Sequence, residues 1–276
     1  MAQTLLGLTE LPGRITGGDV RWKGESLVHD AEATLHRVRG KEIAMVFQDP
    51  MTSLNPVFTI GQQIVEVLRR HLGMSRKDAK NRAVDLLDLV GIANPQARVD
   101  QHPHEMSGGM RQRVLIAIEP ELLVADEPTT ALDVTIQAQI LELIADLQQR
   151  LGLAVMLITH DLGVVAGLCD RVAVMYSGKL VELASADDLY GNPAHPYSAG
   201  LLRSTPRLDV VMPRLVSIEG SPPDLVAPPP GCPFAARCEL VTDECRSEMP
   251  GLHTIDGGRK VACWRPFEFG REEVRA

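Results

Sequence analysis

The stretch from Ser107 to Glu127 constrains the fold of this chain more than any other. It begins with a Ser-Gly-Gly sequence ahead of a helical pattern and continues into the apolar run 122–125, which ends in Asp126-Glu127. The start of a helix offers unpaired backbone N–H groups and a positive dipole end, which suits a phosphate. A continuous apolar run is typical of a buried strand in a parallel sheet, whose carboxyl end faces the ligand crevice. The stretch therefore predicts an α/β protein that binds a phosphate-bearing ligand.

The acidic pair predicts the chemistry of this crevice. Asp126 can hold Mg²⁺ directly or through water, and Glu127 can orient or deprotonate an attacking water. A second apolar run, 153–158, leads into His160, so this histidine is expected at the same edge of the sheet. A lone histidine at a strand end is more often structural, and only its context favours a functional role.

Length and composition exclude several classes of protein. The chain has 276 residues and 45% apolar residues, enough to bury the core of one large domain with or without an appendage. Its formal net charge of −8 argues against nucleic acid or an anionic membrane surface as the main partner. Apolar runs stay well below the roughly 20 residues of a membrane-spanning helix, and the N-terminus lacks the features of a signal peptide. We expect a soluble, cytoplasmic protein that reaches a membrane only through partners.

Taken together and in this order, the motifs resemble those of the ATP-binding cassette (ABC) ATPases that power membrane transporters. Residues 107–112 are similar to the signature motif, 122–127 to Walker B with its catalytic glutamate, and 131–133 to the D-loop. The resemblance implies a P-loop NTPase-like nucleotide-binding domain with a mostly parallel sheet and a helical subdomain. It also implies a head-to-tail dimer, in which each ATP lies between Walker A and B of one subunit and the signature of the other.

The resemblance assigns roles to residues of this sequence. Glu127 would activate the attacking water, and His160 would contact the γ-phosphate. The residues that would bind the nucleotide and Mg²⁺ are Gln48 of the Q-loop, Asp126, and Asp133 of the D-loop. The residues that would act on the ATP of the partner subunit are Ser107, Gly108, Gly109 and Gln112.

The segment 49–61, DPMTSLNPVFTIG, is typical of the peptide-importer branch of this family. It implies an ATP-hydrolysing subunit of a di- or oligopeptide importer, held at the cytoplasmic face of the membrane by two permease subunits. A second ABC ATPase subunit and, indirectly, an extracytoplasmic substrate-binding protein would complete the assembly. Nickel and other importers share the branch, so the substrate stays open. The alternative is a non-catalytic remnant that supplies only the signature motif.

The sequence departs from the family in two places. It contains no G-x-x-x-x-G-K-S/T loop, which supplies the backbone cradle and the lysine for the β- and γ-phosphates. In the family this loop precedes the helix predicted at residues 2–8, so we expect the chain to start after it. The link between the signature helix and Walker B, Glu119-Pro120, is also shorter than usual. We expect poor ATP binding in the chain's own half-site, with the signature still available to a partner.

The C-terminal region differs in character from the rest. We expect a nucleotide-binding domain over 1–205 with a helical subdomain at about 50–110, a proline-rich linker over 206–231, and a cysteine-rich region over 232–276. The four cysteines of that region are Cys232, Cys238, Cys245 and Cys263. Their spacing, C-x5-C-x6-C-x17-C, is not that of a standard zinc knuckle. It resembles the C-terminal extension of peptide-importer ATPases, where four cysteines can ligate a 4Fe–4S cluster; zinc, free thiols and disulfides stay open.

Local patterns predict several further elements. Amphipathic helices are expected over 59–73, 75–90 and 134–151, the first and last of them closed by glycine. One hairpin is expected over 14–24, with its turn at Gly17-Gly18, and another over 171–183, with its turn at Ser177-Gly178.

Overall fold

A computed structural model of the chain describes residues 2–28, 31–47, 53–117, 119–130, 132–205 and 217–268. They belong to two compact units, Met1–His160 and Asp161–Ala276. The predicted domain bounds, with a nucleotide-binding domain over 1–205, stay a prediction. The hairpin within 171–185 forms one sheet with a strand of the predicted cysteine-rich region, a pairing that no local pattern reveals.

The first unit is built on a three-stranded parallel sheet. Its described helices are α1 (Ala2–Leu5), α2 (Ala31–Val38), α3 (Ile60–Leu72), α4 (Arg76–Leu89), α5 (Pro95–Arg98), α6 (Gly108–Ile116) and α7 (Val134–Leu151). Its described strands are β1 (Arg21–Trp22), β2 (Glu25–Ser26), β3 (Ile43–Val46), β4 (Leu122–Asp126) and β5 (Ala154–Ile158). The sheet order is β3-β4-β5 with all strands parallel, which confirms the predicted parallel sheet. In the central strand β4, Leu123, Val124 and Ala125 are fully enclosed.

Helices α3 and α4 lie within the predicted helical subdomain. Thr59 caps α3 in a capping box with Gln62, and Gly73 ends the helix in the left-handed conformation at φ 64°. A Cβ at Gly61 would lie 2.5 Å from a methyl carbon of Val99, so only glycine lets α3 approach this loop so closely. The caps and this close contact explain why the helix begins and ends where the sequence predicts.

A hairpin forms over residues 21–26 rather than over the predicted 14–24. Strands β1 and β2 pair Arg21 with Ser26 and Trp22 with Glu25, which places the turn at Lys23-Gly24 rather than at Gly17-Gly18. Both turn residues have positive φ, 49° and 88°, as a tight two-residue hairpin turn requires. The turn was predicted at Gly17-Gly18 because glycine tolerates a positive φ, but here Lys23 adopts one.

The second unit contains an antiparallel sheet. Its described helices are α8 (Leu162–Leu168), α9 (Ala186–Gly191), α10 (Pro196–Ser204) and α11 (Asp243–Ser247). Its described strands are β6 (Arg171–Tyr176), β7 (Lys179–Ser185), β8 (His253–Thr254) and β9 (Lys260–Val261) in the order β6-β7-β9-β8. Val172, Val174 and Phe234 belong to its hydrophobic core, so residues of the hairpin and of the cysteine-rich region share one core.

A buried ion pair lies in the second unit. The side chain of Glu182 on β7 is 0% exposed, and that of Arg259 is 7% exposed, with Nη2 of the arginine 3.0 Å from Oε1 of the glutamate. The same carboxylate accepts hydrogen bonds from the backbone N–H groups of Ala194 and His195, at 2.8 and 2.9 Å. Burial of a charge is tolerated here because charged and polar partners surround it.

No helix in the residues that the structure describes is both long and apolar enough to cross a lipid bilayer.

Candidate functional site

The carboxyl ends of β4 and β5 bring the predicted catalytic residues together. Asp126 ends β4 opposite Ile158, and the next residue, Glu127, donates its backbone N–H to the Ile158 carbonyl at 2.8 Å. His160 follows β5 by two residues, and its Nδ1 lies 3.2 Å from Oε1 of Glu127. The side chains are 79% exposed for His160 and 26% exposed for Glu127. An acid and an exposed imidazole therefore meet at the sheet edge where parallel α/β folds bind ligands.

Glu127 has an unusual backbone. Its φ is 48°, in the left-handed region that non-glycine residues rarely adopt. Besides the bond to β5, Thr130 holds it in two ways: its N–H donates to the Glu127 carbonyl at 3.1 Å, and its hydroxyl donates to Oε2 at 2.9 Å. Strain of this kind, about 1–3 kcal/mol, clusters at functional sites. The sequence analysis missed Thr130; its position three residues after Glu127, in the turn after Pro128, was the available signal.

The other predicted ligands of the nucleotide differ in their surroundings. Asp126 is half-buried at the end of its strand. Asp133 is exposed and serves as the N-cap of α7, because its carboxylate accepts the Ile136 N–H at 3.1 Å. Gln48 lies outside the described residues. Asp126 is therefore the better placed of the two described carboxylates for a metal ion.

The predicted signature begins helix α6. Ser107 is its exposed N-cap and accepts the Met110 N–H at 3.3 Å, while Gly108 is half-buried and Gly109 is buried. A Cβ at Gly109 would lie 2.7 Å from Cγ2 of Ile136, so no larger residue fits against α7 without a shift. The helix tip thus leaves Ser107 accessible and fixes the second glycine by packing.

Gln112, which was predicted to act on the ATP of the partner subunit, is a buried residue of α6. Its exposed fraction is 1%, and its Nε2 donates a hydrogen bond to the backbone carbonyl of Pro128. Gln112 lies three residues after Gly109 and so shares the helix face that packs against the chain's own interior. The predicted role of Gln112 toward the ATP of a partner subunit stays a prediction.

The four C-terminal cysteines line one small cavity in the second unit. The other side chains around it are mostly apolar and include His195, Phe234, Leu240 and Trp264. All four thiols are free. Burial raises the pKa of Cys232 and Cys238, and it raises the pKa of Cys263 to about 12. Without a cation these three thiols are therefore protonated at neutral pH, and within the described ranges no group of three or more His, Cys, Asp or Glu residues is arranged to hold a metal ion.

His195 was not singled out by the sequence analysis. It is 2% exposed, and burial lowers its pKa to about 4. Its Nδ1 accepts the Tyr197 N–H at 3.0 Å, which fixes the hydrogen of the neutral ring on Nε2. The buried Glu182 holds its backbone, and a neutral imidazole therefore forms part of the wall of the cysteine cavity.

Comparison with known proteins yields matches along most of the chain. The family described as "ABC transporter" matches residues 1–130, and "Oligopeptide/dipeptide transporter, C-terminal region" matches residues 181–245. The chain is 49% identical over 270 residues to the dipeptide transport ATP-binding protein DppD of Bacillus subtilis, covering 95% of this chain and 80% of that protein. It is 47% identical over 271 residues to the oligopeptide transport ATP-binding protein OppD of Salmonella typhimurium, covering 97% and 80%.

A solved structure shares the fold. The dimeric post-hydrolysis state of the ATP-binding cassette MJ0796 bound to ADP and Pi is similar with a TM-score of 0.56 and 26% identity, over 67% of this chain and 80% of that chain.

Proposed function

Because the chain belongs to the ATP-binding subunits of the oligopeptide and dipeptide ABC transporters, we propose that it uses ATP to drive the import of di- or oligopeptides. By family it is an ABC-type ATPase with the corresponding α/β nucleotide-binding fold. The observation that carries the proposal is the contact between Glu127 and His160 beside Asp126, at the carboxyl ends of β4 and β5. Peptide as the substrate rests on the printed names of the relatives.

The geometry supports a separate role for each residue of the site in ATP hydrolysis. A bound Mg²⁺ would neutralise phosphate charge, and Asp126 is the carboxylate placed to hold it. Glu127 accepts a proton from, or orients, the attacking water, while Thr130 and His160 fix one oxygen each of its carboxylate. An ionised Glu127 carboxylate only accepts hydrogen bonds, so its bond to His160 requires the ring hydrogen on Nδ1. The other nitrogen of this exposed ring is then available to a ligand.

The signature tip supports a dimeric assembly. The exposed Ser107 and the glycines behind it form the start of a nine-residue helix, whose backbone N–H groups suit the phosphates of a nucleotide bound to a second ABC subunit. We place this pair on the cytoplasmic face of the membrane, attached through two permease subunits that receive peptide from a substrate-binding protein.

A second candidate is a subunit that supplies only its signature, whose exposed N-cap Ser107 begins a nine-residue helix. Steady-state ATPase of this chain mixed with a full-length partner subunit separates the two candidates. If the chain hydrolyses ATP in its own site, Glu127→Gln lowers the rate at least tenfold, by analogy with the loss of a general base. If it supplies only the signature, Glu127→Gln has no effect and Ser107→Arg abolishes the activity.

A matched control separates catalysis from sheet stability. Glu121 directly precedes β4, at the end of the strand opposite to Glu127, and pairs with Lys23 on the surface. Glu121→Gln removes the same charge from the other end of the strand and should leave the rate unchanged. If neither Glu127→Gln nor Ser107→Arg changes the steady-state ATPase rate of this chain mixed with its partner subunit, both candidates are contradicted.

For the cysteine cavity, we propose that Cys232, Cys238, Cys245 and Cys263 hold a 4Fe–4S cluster. Four thiols that converge on one cavity match the ligand set of such a cluster, which would supply a redox-active or structural centre. A single zinc ion would draw its sulfurs to within about 4 Å of one another, whereas a cubane keeps its thiolates farther apart. The absence of a single-ion arrangement among the described residues is therefore compatible with a cluster.

Anaerobic purification followed by iron, zinc and sulfide analysis tests this assignment. A brown protein with about four irons per chain is expected, and Cys263→Ser should lower the iron content and the absorbance near 400 nm. A colourless, iron-free protein contradicts the cluster, and stoichiometric zinc replaces it with a structural zinc site.

A further inference from the structure

The Gln112 side chain reaches from helix α6 to the loop that follows the acidic pair. Its Nε2 donates to the carbonyl of Pro128, the residue directly after Glu127. Its Oε1 is buried and has no hydrogen-bond partner among the residues that the structure describes. A buried amide with an unused acceptor costs stability. Since an apolar side chain of the same length would avoid that cost, packing alone does not explain a glutamine here.

Close backbone packing joins the same two parts of the chain. A Cβ at Gly109 would lie 2.7 Å from Ile136 on α7, and a Cβ at Gly108 would lie 3.5 Å from Leu132 in the loop. The first turn of α6 therefore lies directly against the loop and the start of α7. Because such groups are close-packed, a displacement of the helix tip moves the loop instead of being absorbed.

We propose that Gln112 is a positioning residue that couples the tip of α6 to Glu127 of the same subunit. This rests on the proposed function, in which Ser107 and the following glycines contact a nucleotide held by the partner. A nucleotide that moves the tip pulls the Pro128 carbonyl through the Gln112 amide and thereby displaces the Pro128–Thr129 peptide, next to Thr130, whose hydroxyl holds the Glu127 carboxylate.

Glu127 is suited to respond to such a pull. Its left-handed backbone, at φ 48°, is held by the surrounding contacts rather than by its own preference. Its carboxylate is fixed through Thr130, which lies in the loop that Gln112 contacts. Nucleotide at one site of the dimer thus adjusts the general base of the other site, and Gln112 is the hydrogen-bonded link.

Hydrogen–deuterium exchange tests the coupling. This chain is paired with a full-length ABC partner subunit, with and without a non-hydrolysable ATP analogue and Mg²⁺. In the wild type, the analogue slows exchange at the helix tip, residues 107–110, and changes exchange in the loop, residues 129–132. In Gln112→Met, the tip remains protected while the loop response falls about fivefold, the factor that corresponds to one net hydrogen bond.

Gln137→Met is the matched control. Gln137 on α7 donates its Nε2 to the carbonyl of Thr129 at 2.9 Å, so it holds the same loop by the same type of bond but not from the signature helix. This variant should speed exchange in the loop without nucleotide and keep the response to the analogue. A merely structural role of Gln112 would make the two variants behave alike.

Three results overturn the proposal. The first is a loop response in Gln112→Met equal to that of the wild type. The second is a wild type in which the analogue slows exchange at the tip but leaves exchange in the loop unchanged. The third is an unprotected tip in the wild type, which refutes the composite nucleotide site as well. Should Gln112→Met lose its cooperative thermal melt, Gln112→Asn gives the same comparison, because its amide is one methylene too short to reach Pro128.

Discussion

Replacing Glu182 by alanine should remove much of the free energy of unfolding of the second unit. The substitution removes a fully buried carboxylate that accepts two backbone N–H groups and pairs with Arg259. The arginine, only 7% exposed, is then left with one backbone acceptor, the Asn192 carbonyl at 2.6 Å. Breaking a buried pair in this way costs about 3–5 kcal/mol, because an uncompensated charge stays inside.

The two tryptophans of the chain allow the loss to be localised. Trp22 lies in the first unit and Trp264 in the second. Urea unfolding is followed by fluorescence in the Trp22→Phe background, which reports on Trp264 alone. The midpoint should fall by roughly 2 M, since a small unit has a urea slope of about 1–3 kcal/mol per molar. In the Trp264→Phe background the remaining transition should not move.

A double variant isolates the buried charge. Glu182→Met with Arg259→Met removes both charges and should recover a large part of the about 3–5 kcal/mol lost in Glu182→Ala, because no unpaired charge stays inside. If Glu182→Ala costs less than about 1 kcal/mol, a typical value for an exposed pair, the charges are not buried as described and the reasoning fails.

Three further perturbations follow from the described contacts. Gly109→Ala forces a Cβ to within 2.7 Å of Ile136 and should cost about 1–3 kcal/mol in urea unfolding; an unchanged midpoint would show that the two helices are farther apart. Burial and the nearby Arg70 lower the pKa of His71, so the folded state binds fewer protons than the unfolded state and loses stability as pH falls below about 6.5. His71→Gln should flatten that loss between pH 7 and 5 in thermal melts, and a parallel pH profile would contradict it. In metal-free protein the raised pKa of Cys263, about 12, should slow its alkylation by iodoacetamide at pH 8 at least a hundredfold relative to urea-unfolded protein, as mass spectrometry of the peptide would report.

Features fixed by a few neighbouring residues were predictable from the sequence. Helix α7 has the predicted bounds, because Asp133 caps its start and Gly152 ends it with a left-handed backbone. The meeting of Glu127 and His160 was also foreseeable, because parallel strands deliver their ends to one edge of the sheet. In the first case the information lies at the helix ends, and in the second it lies in two apolar runs that each lead into a polar residue, Glu127 and His160, 33 residues apart.

Features that depend on distant packing were not predictable. The motif that contains Gln112 does not say which face of its helix turns inward; only the positions of Pro128 and α7 decide this. The chain turns at Lys23-Gly24 and not at Gly17-Gly18, because the strands that pair are those flanking Lys23-Gly24. The convergence of four cysteines spread over 32 residues, from Cys232 to Cys263, was expected only through the family resemblance, because no local pattern brings them to one cavity.

The insertion of β9 between β7 and β8 has a practical consequence for anyone who dissects this protein. Glu182 and Leu183 pair with Val261 and Lys260, so a gene fragment that stops in the proline-rich linker retains the hairpin but exposes one side of it. The unpaired backbone N–H and C=O groups along an exposed strand edge pair with strands of other molecules, and the truncated protein would form inclusion bodies. Expression boundaries should therefore extend past residue 262, whose amide also bonds to the Val181 carbonyl at 2.9 Å.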